Sequence, residues 1–109
     1  MMRRIILGFM GLHILHHASK EPITGAFMIK ELESHGYKVS PGTLYPLLQK
    51  MEKTGLLKSR WEVRNGKRVR LYEITQEGIK VLEEGKKKVK ELCTEILGDE
   101  KWKKGKSLE

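Results

Sequence analysis

The chain has 109 residues, 39% of them hydrophobic and only 6% aromatic, which is enough for one domain with one modest core. Its 22 Lys and Arg outnumber 14 Asp and Glu, for a net charge of +8, so phosphate polyanions are natural partners. A single cysteine, Cys93, excludes a disulfide framework within the chain, and the chain is read as cytoplasmic.

The first apolar run, "RRIILGFMGLHIL", imitates a signal peptide, but histidines interrupt it and no clear cleavage site follows. It is too short to span a bilayer and reads as a helix from about Arg3 to Ser19. That helix is apolar nearly all round, so it must be buried, partly against another chain. "SKEPITG" breaks it. Thr24 then caps a second helix, expected over about Gly25 to His35, with Met28, Ile29 and Leu32 inward and Gly36 as its stop.

"SPGTLYPLLQKMEKTGLL" starts at Ser40 as N-cap, with Pro41 as first helical residue. Leu44, Leu47, Leu48 and Met51 share one helical face, and Gly55 stops the helix. Pro46 lacks an amide hydrogen and gives the N-terminal part of this helix a special shape.

Two strand-like runs follow, flanking Asn65-Gly66. A two-residue loop pairs Val63 with Arg68 and Trp61 with Arg70. A three-residue loop pairs Val63 with Val69 and Trp61 with Leu71. Hydrophobic matching favours the second, and turn chemistry alone favours the first. Trp61 reads as a core residue at the base of the hairpin.

Thr75 opens a last helix. Ile79, Leu82, Lys86, Val89, Cys93 and Ile96 recur at alternating steps of three and four, a coiled-coil-type seam with one lysine in it, broadened by Leu92 and Leu97. Gly98 ends the helix, and residues 99–109, with Trp102, read as a charged flexible tail.

The order helix, helix, helix, hairpin, long helix is the winged helix-turn-helix plan: mainly α, with a small β-hairpin wing and a long C-terminal dimerisation helix. A helix seated in a major groove buries one face in its own domain and offers the other to base edges. Thr43, Tyr45, Gln49, Lys50 and Lys53 lie away from the leucine face. Gln can bind adenine in bidentate fashion and Lys can reach guanine acceptors. Ser40 and the free amides of the helix start suit a phosphate. The wing from Lys58 to Arg70 carries six basic residues against one acid, Glu62.

"SPGTLYPLLQKMEKTGLL" and "RVRLYEITQEG" together resemble the PadR family of bacterial and archaeal transcriptional regulators, over roughly Ile5 to Glu84. The resemblance implies a winged-helix dimer whose C-terminal helix contributes to dimerisation, in a family of which many members repress their target promoters until an effector binds. It implies that Ser40, Thr43, Tyr45 and Gln49 lie at the DNA-reading helix and Lys67 and Arg68 at the wing. It further implies that Tyr72 and Ile74 pack under the wing and that Thr75 opens the dimer helix. "PITGAFMIKEL" matches the family at Gly25, Met28, Ile29 and Leu32, and departs from it at Ala26, where an aromatic is common, and at Phe27, where a polar residue is common.

The expected organisation is therefore a winged-helix DNA-binding domain over 1–74, a dimerisation helix over 75–98 and the tail over 99–109. The expected DNA-contacting residues are Ser40, Thr43, Tyr45, Gln49, Lys50, Arg64, Lys67, Arg68 and Arg70. The expected dimer contacts are Ile6, Phe9, Met10, Ile79, Leu82, Val89, Leu92, Cys93 and Ile96. The partners are double-stranded DNA with a near-palindromic operator, a second copy of the chain, and a small-molecule effector at the dimer interface. No membrane partner is expected. No tryptophan lies in the middle of the last helix, so an aromatic sandwich for a flat ligand finds no support there.

Other functions have less to stand on. No P-loop, nucleophile elbow or paired acid and base is present, so no enzyme is expected. His13 and His17 stand one helical turn apart and could share a metal, but no third ligand is near in sequence; they read as partly exposed helix histidines, with no cofactor or metal. Cys93 reads as a small apolar seam residue. The alternative from another class is a winged-helix protein-interaction module, or a protein that coats DNA without sequence preference.

Overall fold

The computed structural model describes residues 1–98; the expected tail, with Trp102, lies outside them. The elements are α1 (Met2–Ala18), α2 (Gly25–Ser34), α3 (Pro41–Lys53), β1 (Leu57–Arg64), β2 (Lys67–Ile74) and α4 (Gln76–Leu97). The winged-helix plan is thus present, with four helices and one antiparallel hairpin. Among the described residues no helix is long and apolar enough to cross a membrane.

Local chemistry sets the boundaries. The Thr24 side chain accepts from the Phe27 amide and the Thr75 side chain from the Gly78 amide, each satisfying an N-terminal donor that lacks a helical partner. Gly36 follows the α2 terminus and Gly55 the α3 terminus, both at positive φ. Ser40 is the N-cap of α3, but its side chain takes no helix amide; its hydroxyl lies 3.4 Å from that of Thr43. Pro46 sits inside α3 without ending it.

The hairpin adopts the two-residue loop. Val63 faces Arg68 and Trp61 faces Arg70, with Asn65 and Gly66 both at positive φ. Paired positive φ values match the twist of the strands, and Asn-Gly supplies them at little cost. Turn chemistry therefore outweighs the hydrophobic matching that favoured the longer loop. Trp61 is correspondingly 54% exposed and is not a core residue. The pair of strands gains a third partner where Ile23 and Tyr72 exchange backbone hydrogen bonds of 3.0 and 2.8 Å.

The core lies where the three helices of the head meet the base of the wing. Ile14, Met28, Leu32, Leu44 and Leu48 are fully buried, with Leu57 and Tyr72 from the strands beside them. Met10 (2% exposed) and Leu82 (5% exposed), both expected at the dimer interface, belong to this core instead. Leu82 lies on the α4 seam and Met10 on α1, and both pack into the core formed within one chain. A side chain on Gly85 would collide with Leu12, so the glycine permits the approach of α4 to α1.

Candidate nucleic-acid interface

The inward face of α3 is Leu44, Leu48 and Met51, all buried, with Leu47 half-buried. Tyr45, Gln49, Lys50 and Lys53 are exposed and Thr43 half-exposed. The helix is thus anchored by apolar burial on one side and presents polar and aromatic groups on the other.

These outward residues divide between two surfaces. Tyr45 and Gln49 join Arg68 and Arg70 of β2 around a cleft of about 410 Å³, bounded also by Thr24, Gly25 and Ala26 at the start of α2 and by Trp61. Thr43 and Lys50 lie on the side facing α1, in a groove shared with Arg3 and Pro46. Ser40 and Thr43 also border a depression with Tyr37 and Lys38. Gly25 lets the Tyr45 ring pack closely against the start of α2, since a Cβ there would run into the ring.

The basic residues of the wing are not equivalent. Lys67 and Arg68, at the tip, enter no ion pair among the described residues. The Arg68 guanidinium lies 4.4 Å from the centre of the Trp61 ring, a cation–π contact that covers an exposed tryptophan and orients the arginine. Arg64 lies 3.6 Å from Glu62 and borders a separate hollow with His17, Pro22 and Phe27. Arg60 pairs with Glu73.

Arg70 connects the wing to α3. Its Nη2 donates to Glu52 Oε1 at 3.1 Å and its Nε donates to Ser59 Oγ at 2.9 Å. Glu52 Oε2 in turn accepts from the Ser59 amide and hydroxyl at 3.0 and 2.7 Å. This network ties the last turn of α3 to the wing. Arg70 thus bridges α3 and the wing within the protomer while keeping partial solvent access at the edge of the cleft. Glu52 and Ser59 gave no sign of this in sequence, because the contact depends on the hairpin register. Burial raises the pKa of the neighbouring Tyr72 phenol above its ordinary 10.0, so it remains a neutral packing residue under the wing.

A second surface is apolar. Phe9 and Leu12 of α1 face Leu82, Val89 and Cys93 of α4 across an open groove of about 650 Å³. Ile6, Phe9, Ile79, Val89, Leu92 and Ile96 are exposed in the single chain, and Cys93 is half-exposed. Lys86 borders the groove and turns its ammonium to Glu83, 3.1 Å away.

The chain is similar to known proteins. Residues 14–84 match the transcriptional regulator PadR-like family. The chain is 47% identical over 87 residues to transcriptional regulator Rv3488 of Mycobacterium tuberculosis, covering 80% of this chain and 81% of that protein. Its fold is similar to the crystal structure of a PadR-like transcriptional regulator from Bacillus cereus, with TM-score 0.78, 30% identity, and 85% and 92% of the two chains covered. It is also similar to a PadR family transcriptional regulator from Eggerthella lenta, with TM-score 0.71, 30% identity, and 99% and 92% covered. With its winged helix-turn-helix and the match over the head and wing, the chain belongs to the PadR-like family of transcriptional regulators, which are not enzymes.

Proposed function

We propose that this regulator is a cytoplasmic, homodimeric repressor that reads a near-palindromic operator in double-stranded DNA. The observation that carries the reading is the cleft where Tyr45 and Gln49 of α3 meet Arg68 of the wing, on the side of α3 opposite its buried leucines. In this reading residues 1–74 bind DNA and residues 75–98 hold two protomers together. Gln49 contacts a base edge with Tyr45 beside it, and Thr43 stands with Lys50 on the side of α3 facing α1. Ser40 at the start of α3 takes a phosphate, as does Lys50. Lys67, Arg68 and Arg64 follow the backbone beyond the groove. Arg70 acts through the wing's position.

The exposed apolar residues of α1 and α4 support dimerisation, because so contiguous an apolar surface is seldom left to water. The groove between these helices offers an effector an apolar chamber that a second protomer would close. Twofold symmetry places two half-sites about 34 Å apart, or a multiple of that.

Selection of binding sites from a random duplex library tests the reading. It is supported by enrichment of a single motif with twofold symmetry. Recovery of unrelated sequences at equal affinity would instead indicate a protein that coats DNA or serves as an interaction module.

A further inference from the structure

The structure brings together three histidines that the sequence keeps apart. His13 and His17 lie one turn apart on α1, and His35 is the C-cap of α2. One ring nitrogen of each falls within 4.8 Å of those of the other two. The His13 and His35 rings are 4.7 Å apart, inclined at 30°. His17 Nε2 also lies 3.7 Å from Glu31 Oε1, on the α2 turn preceding His35.

We propose that His13, His17 and His35 form a binding site for a divalent transition metal of the zinc type. Three imidazole nitrogens are a common donor set for such an ion, leaving a fourth position for water or an exogenous ligand. Nitrogen ligands on one tetrahedral zinc lie about 3.4 Å apart, as metal–nitrogen bonds near 2.05 Å require, so modest side-chain rotations close the observed triangle. The histidines come from two helices whose relative position is already fixed by the buried Ile14, Met28 and Leu32, so the backbone brings the donors together without the ion. Glu31 Oε1, 3.7 Å from His17 Nε2, is close enough to orient that ring after a small rotation, as outer carboxylates orient metal-bound histidines. His35 is exposed and His13 and His17 half-buried, which leaves a route of entry from solvent. Three histidines that only stack at the end of a helix would show none of the binding described next.

The test uses the full chain without an affinity tag, freed of metal by chelation and titrated with Co2+, then with Zn2+. Tetrahedral cobalt is expected to give intense visible bands that saturate at one equivalent per chain and disappear when zinc displaces it. His17→Ala and His35→Ala are each expected to weaken binding at least about a hundredfold, while His16→Ala, outside the triangle, retains it; Glu31→Gln is expected to weaken it about tenfold. Thermal melts without metal establish that each variant is folded. Absence of saturable cobalt binding overturns the site. So does binding that survives His35→Ala unchanged, or that falls equally with His16→Ala.

Discussion

Arg70 of the wing and Glu52 of α3 are joined by a hydrogen-bonded ion pair of 3.1 Å, with Ser59 bonded to both. A charge expected at the DNA thus holds the wing against the helix. Both side chains keep partial solvent access, so the pair is worth little as an isolated contact, and its effect is to fix an angle. Arg70→Ala is expected to lower stability by about 1 kcal/mol in thermal or urea unfolding. Its effect on the salt dependence of DNA binding is expected to be smaller than that of losing a tip residue.

The wing tip and the recognition helix should separate cleanly by mutation. Lys67→Ala and Arg68→Ala are expected to weaken matched and scrambled duplexes alike and to reduce the logarithmic salt slope by about 1 each. Gln49→Ala is expected to cost about 1–3 kcal/mol on the matched site and much less on the scrambled one. Anisotropy titrations over a range of salt concentrations read both effects; equal losses on the two duplexes for Gln49→Ala would remove its reading role.

Gly78 is fixed by packing rather than by its own dihedral angles. It is buried where α4 leaves the wing, and an added Cβ would collide with the Leu56 carbonyl and the Ile74 side chain. A backbone carbonyl cannot rotate aside as a side chain can. Gly78→Ala is therefore expected to destabilise the fold by about 1–3 kcal/mol, measured by urea unfolding. For Gly25→Ala the three nearest atoms all belong to the Tyr45 side chain, so the substitution is expected to displace that ring and change DNA binding more than stability.

The exposed seam predicts the assembly state. Leu92→Asp places a charge on an apolar face without touching the protomer core. It is expected to convert a dimer into a folded monomer at micromolar concentration in sedimentation velocity, with helical content preserved by circular dichroism.

Acid should destabilise the metal-free protein through α1. Burial first, then His35, lowers the His13 pKa below 6.5; burial first, then His17, does the same for His16. The unfolded chain therefore takes up protons at a higher pH than the folded one. Stability is complete above about 6.5 and falls as pH drops from there toward the lowered folded values. Melting in chelator should show this loss, and His13→Gln should reduce it.

Much of this architecture is legible in sequence because it depends on local chemistry. Thr24, Ser40 and Thr75 mark helix starts, Gly36 and Gly55 mark stops, and the leucine spacing of α3 identifies its buried face. What was not legible depends on contacts distant along the chain. The pattern that makes Met10 and Leu82 look like interface residues is the same whether a partner or the chain's own helix covers them. The hairpin register turned on two opposing local signals, and its outcome sets Arg68 and Arg70 beside Trp61. His35 joins His13 and His17 only because α2 folds back along α1. Within the expected DNA set, Tyr45, Gln49 and Arg68 share a cleft, whereas Thr43 and Lys50 face α1.

The most direct test of the central claim is a fluorescence-anisotropy titration with two duplexes, one carrying the promoter upstream of the protein's own gene and one carrying the same bases scrambled, each at two salt concentrations. A specific repressor acting at its own promoter is expected to prefer the first by about a thousandfold or more, with a preference that persists at the higher salt. Equal, steeply salt-dependent binding to both would contradict operator recognition at that promoter and leave only a basic surface that attracts phosphate.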